Sequence, residues 1–229
     1  MQGASNGLLA WSPMKTVRIY GAAQNIREAP TRTPEEQHIE VWLSNNPTIM
    51  SLRCPRVLND WTRWFNLHSR QFILGTYPSG YSYYQTKANG RPIYLQLPQP
   101  DIGTSVAFPR KDIQVTFATS KGPNRYFTCT VTWLIALAIL EGFNRIELWG
   151  FELRNTNPGS VYAYERPCFF YWVQQARDRG IDVFYQQAVQ RLPFLPGDPD
   201  SYDGKLYGYS TKPEVGWNME TEEFDATQE

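Results

Sequence analysis

The candidates for moving a proton or holding a polar ligand are the polar side chains that lie beside runs that read as strand or helix. They are Gln24 and Asn25, Asn45 and Asn46, His68, Thr128 and Thr130, Glu152 and Glu165. Small hydroxyls just ahead of a helix suit a phosphate, because the first N–H groups of a helix have no partner within it. Carboxamides suit the neutral hydrogen bonds of a ribose or a base, although turn chemistry accounts for any single asparagine equally well. Glu152 and Glu165 are candidates for a general base that would deprotonate an acceptor hydroxyl; ion pairing with Arg154 or Arg166 is the competing account. His68 closes a candidate strand, whereas the other histidine, His38, sits in a polar run that reads as surface. Cys129 has no neighbouring base to activate it as a nucleophile.

These residues need elements to position them, and the stretch from Arg125 to Glu152 is the clearest. Thr128, Cys129 and Thr130 offer N-cap side chains. From Val131 to Leu140 every residue but Thr132 is apolar, which predicts a helix covered on nearly all sides. Gly142 is placed to end it in a left-handed conformation. Ile146 to Phe151 then reads as a buried strand leading to Glu152. Further strands are expected at Val17–Tyr20, Ile39–Leu43, Trp64–His68 and Ile181–Tyr185. A helix with Pro167 near its first turn is expected to bury Phe169, Trp172, Val173 and Ala176 at helical spacing.

Strands alternating with helices predict an α/β fold: a Rossmann-like, doubly wound, mostly parallel sheet. In such sheets ligands sit at the carboxyl ends of strands, where the residues named above collect. A single domain over 15–209 is expected, behind a dispensable or disordered N-terminus at 1–14. Between about 70 and 121 the periodicity dissolves into a Tyr-rich insertion, read either as an irregular segment packed by its own tyrosines or as a cover for the substrate. Residues 210–229 read as an acidic disordered tail; from Pro213 onward there are six acidic and no basic residues.

Lys plus Arg and Asp plus Glu are both 22, so no overall field advertises nucleic acid or membrane. A local basic groove would still fit within that balance. Aromatic content of 15% is enough to build a core and also to stack on bases or sugars. Cys54, Cys129 and Cys168 are widely spaced, which argues against a disulfide framework or a zinc site and for a reducing, cytoplasmic setting. Apolar runs stop well short of the ~20 residues that span a bilayer. No phosphate-binding P-loop, dinucleotide fingerprint or zinc motif is present. The only Asp-x-Asp, Asp198-Pro-Asp200, sits in a Pro/Gly-rich stretch, and no metal site is built on it.

Val17-Arg-Ile-Tyr-Gly-Ala-Ala-Gln-Asn25, Ile39-Glu-Val-Trp-Leu-Ser-Asn-Asn46 and Trp64-Phe-Asn-Leu-His68 resemble, in that order, a Rossmann-like family common in bacteriophage genomes. So do Tyr126-Phe-Thr-Cys-Thr130, Ile146–Glu152, Tyr162-Ala-Tyr-Glu-Arg-Pro167 and Leu206-Tyr-Gly-Tyr209. More distantly the layout is similar to small bacterial sialyltransferases and to 6-hydroxymethylpterin diphosphokinase-like proteins. The resemblance implies that Gly21, Ala22, Ala23, Gln24 and Asn25 lie against nucleotide phosphates. Asn45, with Asn46 beside it, would reach the nucleotide, Thr128, Cys129 and Thr130 would form a second cradle, and Glu152 would stand where the relatives place Asp. Tyr162, Tyr164 and Arg166 are the acceptor-side candidates. Ala22, Asn25 and Thr130 replace the relatives' Asn, Ser and Gly, which leaves the donor's identity open.

The expected function is glycosyl transfer from a nucleotide sugar to a hydroxyl, for instance a hydroxymethylated base in phage DNA, with Glu152, Glu165 or His68 as base. A phage-encoded enzyme would work in the host cytoplasm. The alternatives are Mg-dependent phosphoryl or diphosphoryl transfer, and a non-catalytic protein that sequesters a nucleotide.

Overall fold

The computed structural model describes residues 14–44, 46–118, 126–153 and 162–186, with the short strands at 217–218 and 223–224; of Tyr162, Ala163 and Tyr164 it describes the backbone. Among the described residues seven strands form one sheet: β1 (Thr16–Tyr20), β2 (Glu40–Ser44), β3 (Arg63–Asn66), β4 (Ile93–Leu95), β5 (Ser105–Ala107), β6 (Arg145–Trp149) and β7 (Asp182–Tyr185). All neighbours are parallel, in the order β5-β4-β3-β2-β1-β6-β7. The chain winds outward from β1 to β5 and then returns to the other side of β1. This is a Rossmann-like, doubly wound fold, and the winding reverses between β1 and β6. Those two strands end level, with Tyr20 opposite Trp149.

Among the described residues six α-helices cover the sheet: α1 (Pro47–Arg53), α2 (Arg70–Thr76), α3 (Pro78–Lys87), α4 (Arg110–Thr116), α5 (Thr130–Leu140) and α6 (Tyr162–Arg177). Val17, Ile19, Trp42 and Phe65 point to the face that carries α4, α5 and α6. Tyr20, Val41, Leu43 and Trp64 point to the face that carries α1, α2 and α3. The strands therefore bury side chains on both faces, as parallel strands between two helical layers must. Residues Thr130 to Ala138 of α5 are buried without a break, and each large apolar side chain among them contributes about 1.5–3 kcal/mol by leaving water.

Both helices that flank β6 stop in the same way. After α5, Phe143 N–H donates to Ala138 O at 3.1 Å and Gly142 N–H to Ile139 O at 3.1 Å, with Gly142 at φ +71°. After α6, Ile181 N–H donates to Ala176 O at 3.1 Å and Gly180 N–H to Arg177 O at 2.9 Å, with Gly180 at φ +78°. These paired bonds satisfy carbonyls that a helix end leaves free, and the glycine takes the left-handed step without a Cβ penalty.

The structure departs from sequence expectation in four places. The helix expected to start near Pro167 begins at Tyr162, so Pro167 lies inside α6. Proline there has no N–H to give the Ala163 carbonyl, at a cost of ~3 kcal/mol; the buried face of Phe169, Trp172, Val173 and Ala176 offsets it. β6 ends at Trp149 because Gly150 turns to φ +73°, leaving Glu152 on the loop beyond. β3 ends at Asn66, two residues before His68. Where periodicity dissolves, the chain forms α2, α3, β4, β5 and α4, and Tyr81 and Tyr84 belong to the core. The expected N-terminal segment at 1–14, save for Met14, and the acidic tail, save for β8 (Trp217–Asn218) paired antiparallel with β9 (Glu223–Phe224), lie outside the described residues. No helix among the described residues is long and apolar enough to cross a membrane.

Candidate functional site

At the carboxyl edge of the sheet the loops after β1 and β6 are pressed together. A Cβ on Gly21 would lie 2.5 Å from Gly150 O and 2.5 Å from the Phe151 ring; one on Gly150 would lie 2.6 Å from Gly21 O. Only glycines allow the approach. Gly21 N–H donates to Trp149 O at 2.8 Å, Ala23 N–H to Gly150 O at 2.9 Å, and Asn25 N–H to Glu152 Oε1 at 3.1 Å. Ala22 O accepts from the Arg53 guanidinium, and Gln24 is exposed. Three of this loop's N–H groups are thus used within the protein, which weakens the case for a phosphate nest there. Glu152 acts as a clasp on the short 3₁₀ turn at Gln24–Glu28.

Gln186, which sequence reasoning missed, completes the clasp. Its Oε1 accepts from Gly150 N–H at 2.8 Å, and its Nε2 donates to Asn25 O at 3.0 Å and Glu28 Oε2 at 3.2 Å. The signal was available: Gln186 follows β7 directly, the same kind of position that singled out the asparagines and His68.

Helices α5 and α6 both run back against the strands, so their N-termini lie at this same edge. Cys129 caps α5: its N–H faces Thr132 Oγ1 at 3.4 Å, and that hydroxyl donates to Cys129 O at 2.6 Å. Thr128, just before the cap, is 5% exposed, and its hydroxyl has no partner. From the first turn of α6 comes Glu165, 8% exposed, with no hydrogen bond or ion pair to its carboxyl group among the described residues. Burial pushes the Glu165 carboxyl up to about 8. Burial also holds the Cys129 thiol well above its ordinary value, and the nearby Glu165 carboxylate adds to that. Cys129 is therefore a neutral thiol that packs and caps. The Arg166 guanidinium lies over the Phe170 ring, 5.8 Å from its centre, and does not pair with Glu165.

Two bulky residues in left-handed backbone flank this corner, Tyr126 at φ +72° and Leu153 at φ +47°. Such a conformation costs a non-glycine residue about 1–2 kcal/mol. At Tyr126 the strain is held by ring stacking on Tyr171 at 3.9 Å and by Trp172 Nε1–H donating to Tyr126 O at 3.1 Å.

The remaining candidates stand apart. Asn46 caps α1, its Oδ1 accepting from Thr48 N–H at 2.9 Å, with Gly80 packed against it. His68 stacks on Phe72 at 4.5 Å, and burial pushes it down to about 4, so it is neutral at pH 7. Asn45 and the side chains of Tyr162 and Tyr164 lie outside the described residues. Among the described residues no group of three or more His, Cys, Asp or Glu is placed to hold a metal. The structure thus brings Asn25 to Glu152, and Cys129, between Thr128 and Thr130, close enough to Glu165 to feel its charge. No family model, no curated protein and no solved structure matches this chain.

Proposed function

We propose that the protein is a nucleotide-sugar-dependent glycosyltransferase acting on a hydroxyl acceptor, with its reacting centre at the paired N-termini of α5 and α6. One observation carries the reading: a buried hydroxyl without a partner, Thr128, just ahead of α5, and a buried carboxyl, Glu165, in the first turn of α6, lie at the carboxyl edge of a doubly wound sheet. The leaving nucleotide phosphate would sit against the first N–H groups of α5 and the Thr128 hydroxyl, where the helix dipole favours negative charge. Glu165 would take the acceptor's proton as the acceptor oxygen bonds to the anomeric carbon; the bond from that carbon to the phosphate oxygen breaks, and its electrons leave with the nucleotide. A carboxyl held near pH 8 suits this role, since proton acceptors work best with a pKa near the working pH. Neutral His68, held low by burial, is a poorer base, and Glu152 is already engaged by Asn25. A hydroxymethylated base in DNA is one acceptor that presents such a hydroxyl, and a nucleotide-sugar donor implies work in the cytoplasm.

The test is a thermal-shift screen against UDP-, GDP-, CMP- and ADP-linked sugars, ATP with Mg²⁺, and cyclic nucleotides, followed by turnover assays on Glu165→Gln. A donor at a hundred times its Kd should add ~2.7 kcal/mol to stability. The expected result is a shift with one nucleotide sugar that survives in Glu165→Gln while transfer is lost. Stabilisation by ATP with Mg²⁺ alone would favour phosphoryl transfer instead. Tight binding with no turnover on any hydroxyl acceptor would favour a sequestering protein.

A further inference from the structure

On the sheet face opposite α5 and α6, at the ends of β6 and β7, three buried polar atoms lack any partner: Asn25 Oδ1, Asn25 Nδ2 and Trp149 Nε1. They belong to one corner. Leu148 pairs with Tyr185, so Trp149 and Gln186 are the next positions on neighbouring strands. Gln186 in turn bonds Asn25 O and Glu28 Oε2. Phe184, two residues before Gln186 and on the same face, lies 4.8 Å from the Trp149 ring and is 37% exposed.

Buried polar atoms are almost always paired, because each unpaired one forfeits its bonds to water. Here a whole carboxamide is unpaired, although its own backbone N–H and C=O are held by Glu152 and Gln186. That side chain offers a donor beside an acceptor. An indole N–H lies on the neighbouring strand end, and an aromatic ring opens to solvent next to it. This is the equipment for a flat heterocycle: an edge with adjacent acceptor and donor for the amide, and a π-face for the ring.

We propose that this corner binds a nucleobase, read by the Asn25 carboxamide and the Trp149 indole N–H and stacked on Phe184. The inference deepens the nucleotide reading above by giving the base a place of its own, on the other face of the sheet from Thr128 and Glu165.

The experiment measures binding of adenosine, guanosine, cytidine and uridine, and separately of pyrophosphate, to the full chain by saturation-transfer NMR and thermal shift. Wild type should bind at least one nucleoside. Asn25→Ala should weaken that nucleoside by about tenfold or more, leave pyrophosphate unchanged, and show a ligand-free Tm at or above wild type, because it removes two unsatisfied atoms. Trp149→Phe keeps the ring and should weaken the nucleoside to a smaller degree. Absence of nucleoside binding by wild type, or unchanged affinity in Asn25→Ala, would overturn the proposal, as would a lowered ligand-free Tm in Asn25→Ala, which would mark a structural amide. Pyrophosphate binding without nucleoside binding would sink this inference and leave the α5 reading standing; the reverse would do the opposite. A short single-stranded oligonucleotide that binds tighter than the nucleoside assigns the corner to an acceptor base, and a free nucleotide that binds tighter assigns it to the donor.

Discussion

A carboxyl group kept from water without a partner costs stability whenever it is ionised, and Glu165 is placed so. Glu165→Gln removes the charge and keeps the shape. It should abolish transfer while leaving donor affinity intact, and the wild-type rate should rise through an ionisation near pH 8; turnover and donor-binding measurements across pH would check both. A variant that transfers sugar at the wild-type rate would strip Glu165 of its role. Thr128→Val makes a parallel case: the hydroxyl has no partner, so the isosteric methyl should leave stability unchanged or slightly raised while pyrophosphate binding weakens. A loss of more than ~1 kcal/mol in urea titration would instead mean that the hydroxyl holds the loop together. Both residues stood out in the sequence as polar groups beside helix starts. That neither has a partner was not legible, because it depends on how α5 packs against α6 some 35 residues further on.

At the scale of elements, glycines decide how closely the strand ends approach, and three of them form a graded series. Gly142→Ala keeps open space but forces alanine to φ +71°, at about 1–2 kcal/mol. Gly21→Ala keeps ordinary backbone but drives a Cβ into Gly150 O and the Phe151 ring, at about 1–3 kcal/mol. Gly150→Ala suffers both faults and should be the worst, at about 3 kcal/mol or more. Urea midpoints would rank them, and a Gly150→Ala protein no weaker than Gly142→Ala would contradict the loop contact. Gly142 was legible because a long apolar run stopped at it. The Gly21–Gly150 contact was not, since it joins residues 129 apart. The same limit explains the stretch from 70 to 121. β4 and β5 are three residues each, too short to show an alternating pattern, and α3 buries Tyr81 and Tyr84 and packs Tyr83 against Trp64, among positions that are otherwise mostly polar or small. In the sequence those tyrosines read either as a loop's own packing or as a substrate cover; Tyr81 and Tyr84 prove to be framework. The Asn25 corner was hidden for a further reason: Trp149 and Phe184 looked like ordinary strand residues, and only parallel pairing sets them side by side.

For the molecule as a whole, three of the groups that titrate below about pH 8 lie far from their ordinary values, and together they shape how stability depends on pH in that range. Arg18 holds Glu36 at about 2 against an ordinary 4.5, so the unfolded chain takes up a proton that the native one refuses; this stability is lost as pH falls from 4.5 towards 2. Burial holds His68 at about 4 against 6.5, and its contribution is lost as pH falls from 6.5 towards 4. Glu165 runs the other way. Held at about 8 against 4.5, it binds a proton in the native state that the unfolded chain has released, so stability falls as pH rises from 4.5 to 8. Between 4.5 and 6.5 the slopes from His68 and Glu165 oppose each other; above 6.5 only the fall remains, and below 4.5 Glu36 joins His68. Tm measured against pH should therefore show a broad maximum between about 4.5 and 6.5. In Glu165→Gln the fall between 6.5 and 8 should vanish and the maximum move upward. In His68→Gln the unopposed Glu165 slope should draw it down towards 4.5. A wild-type Tm that climbs steadily from pH 6.5 to 8 would mean that Glu165 is ionised at neutral pH, and the base proposed for the transfer step would then have to be sought elsewhere on the carboxyl edge.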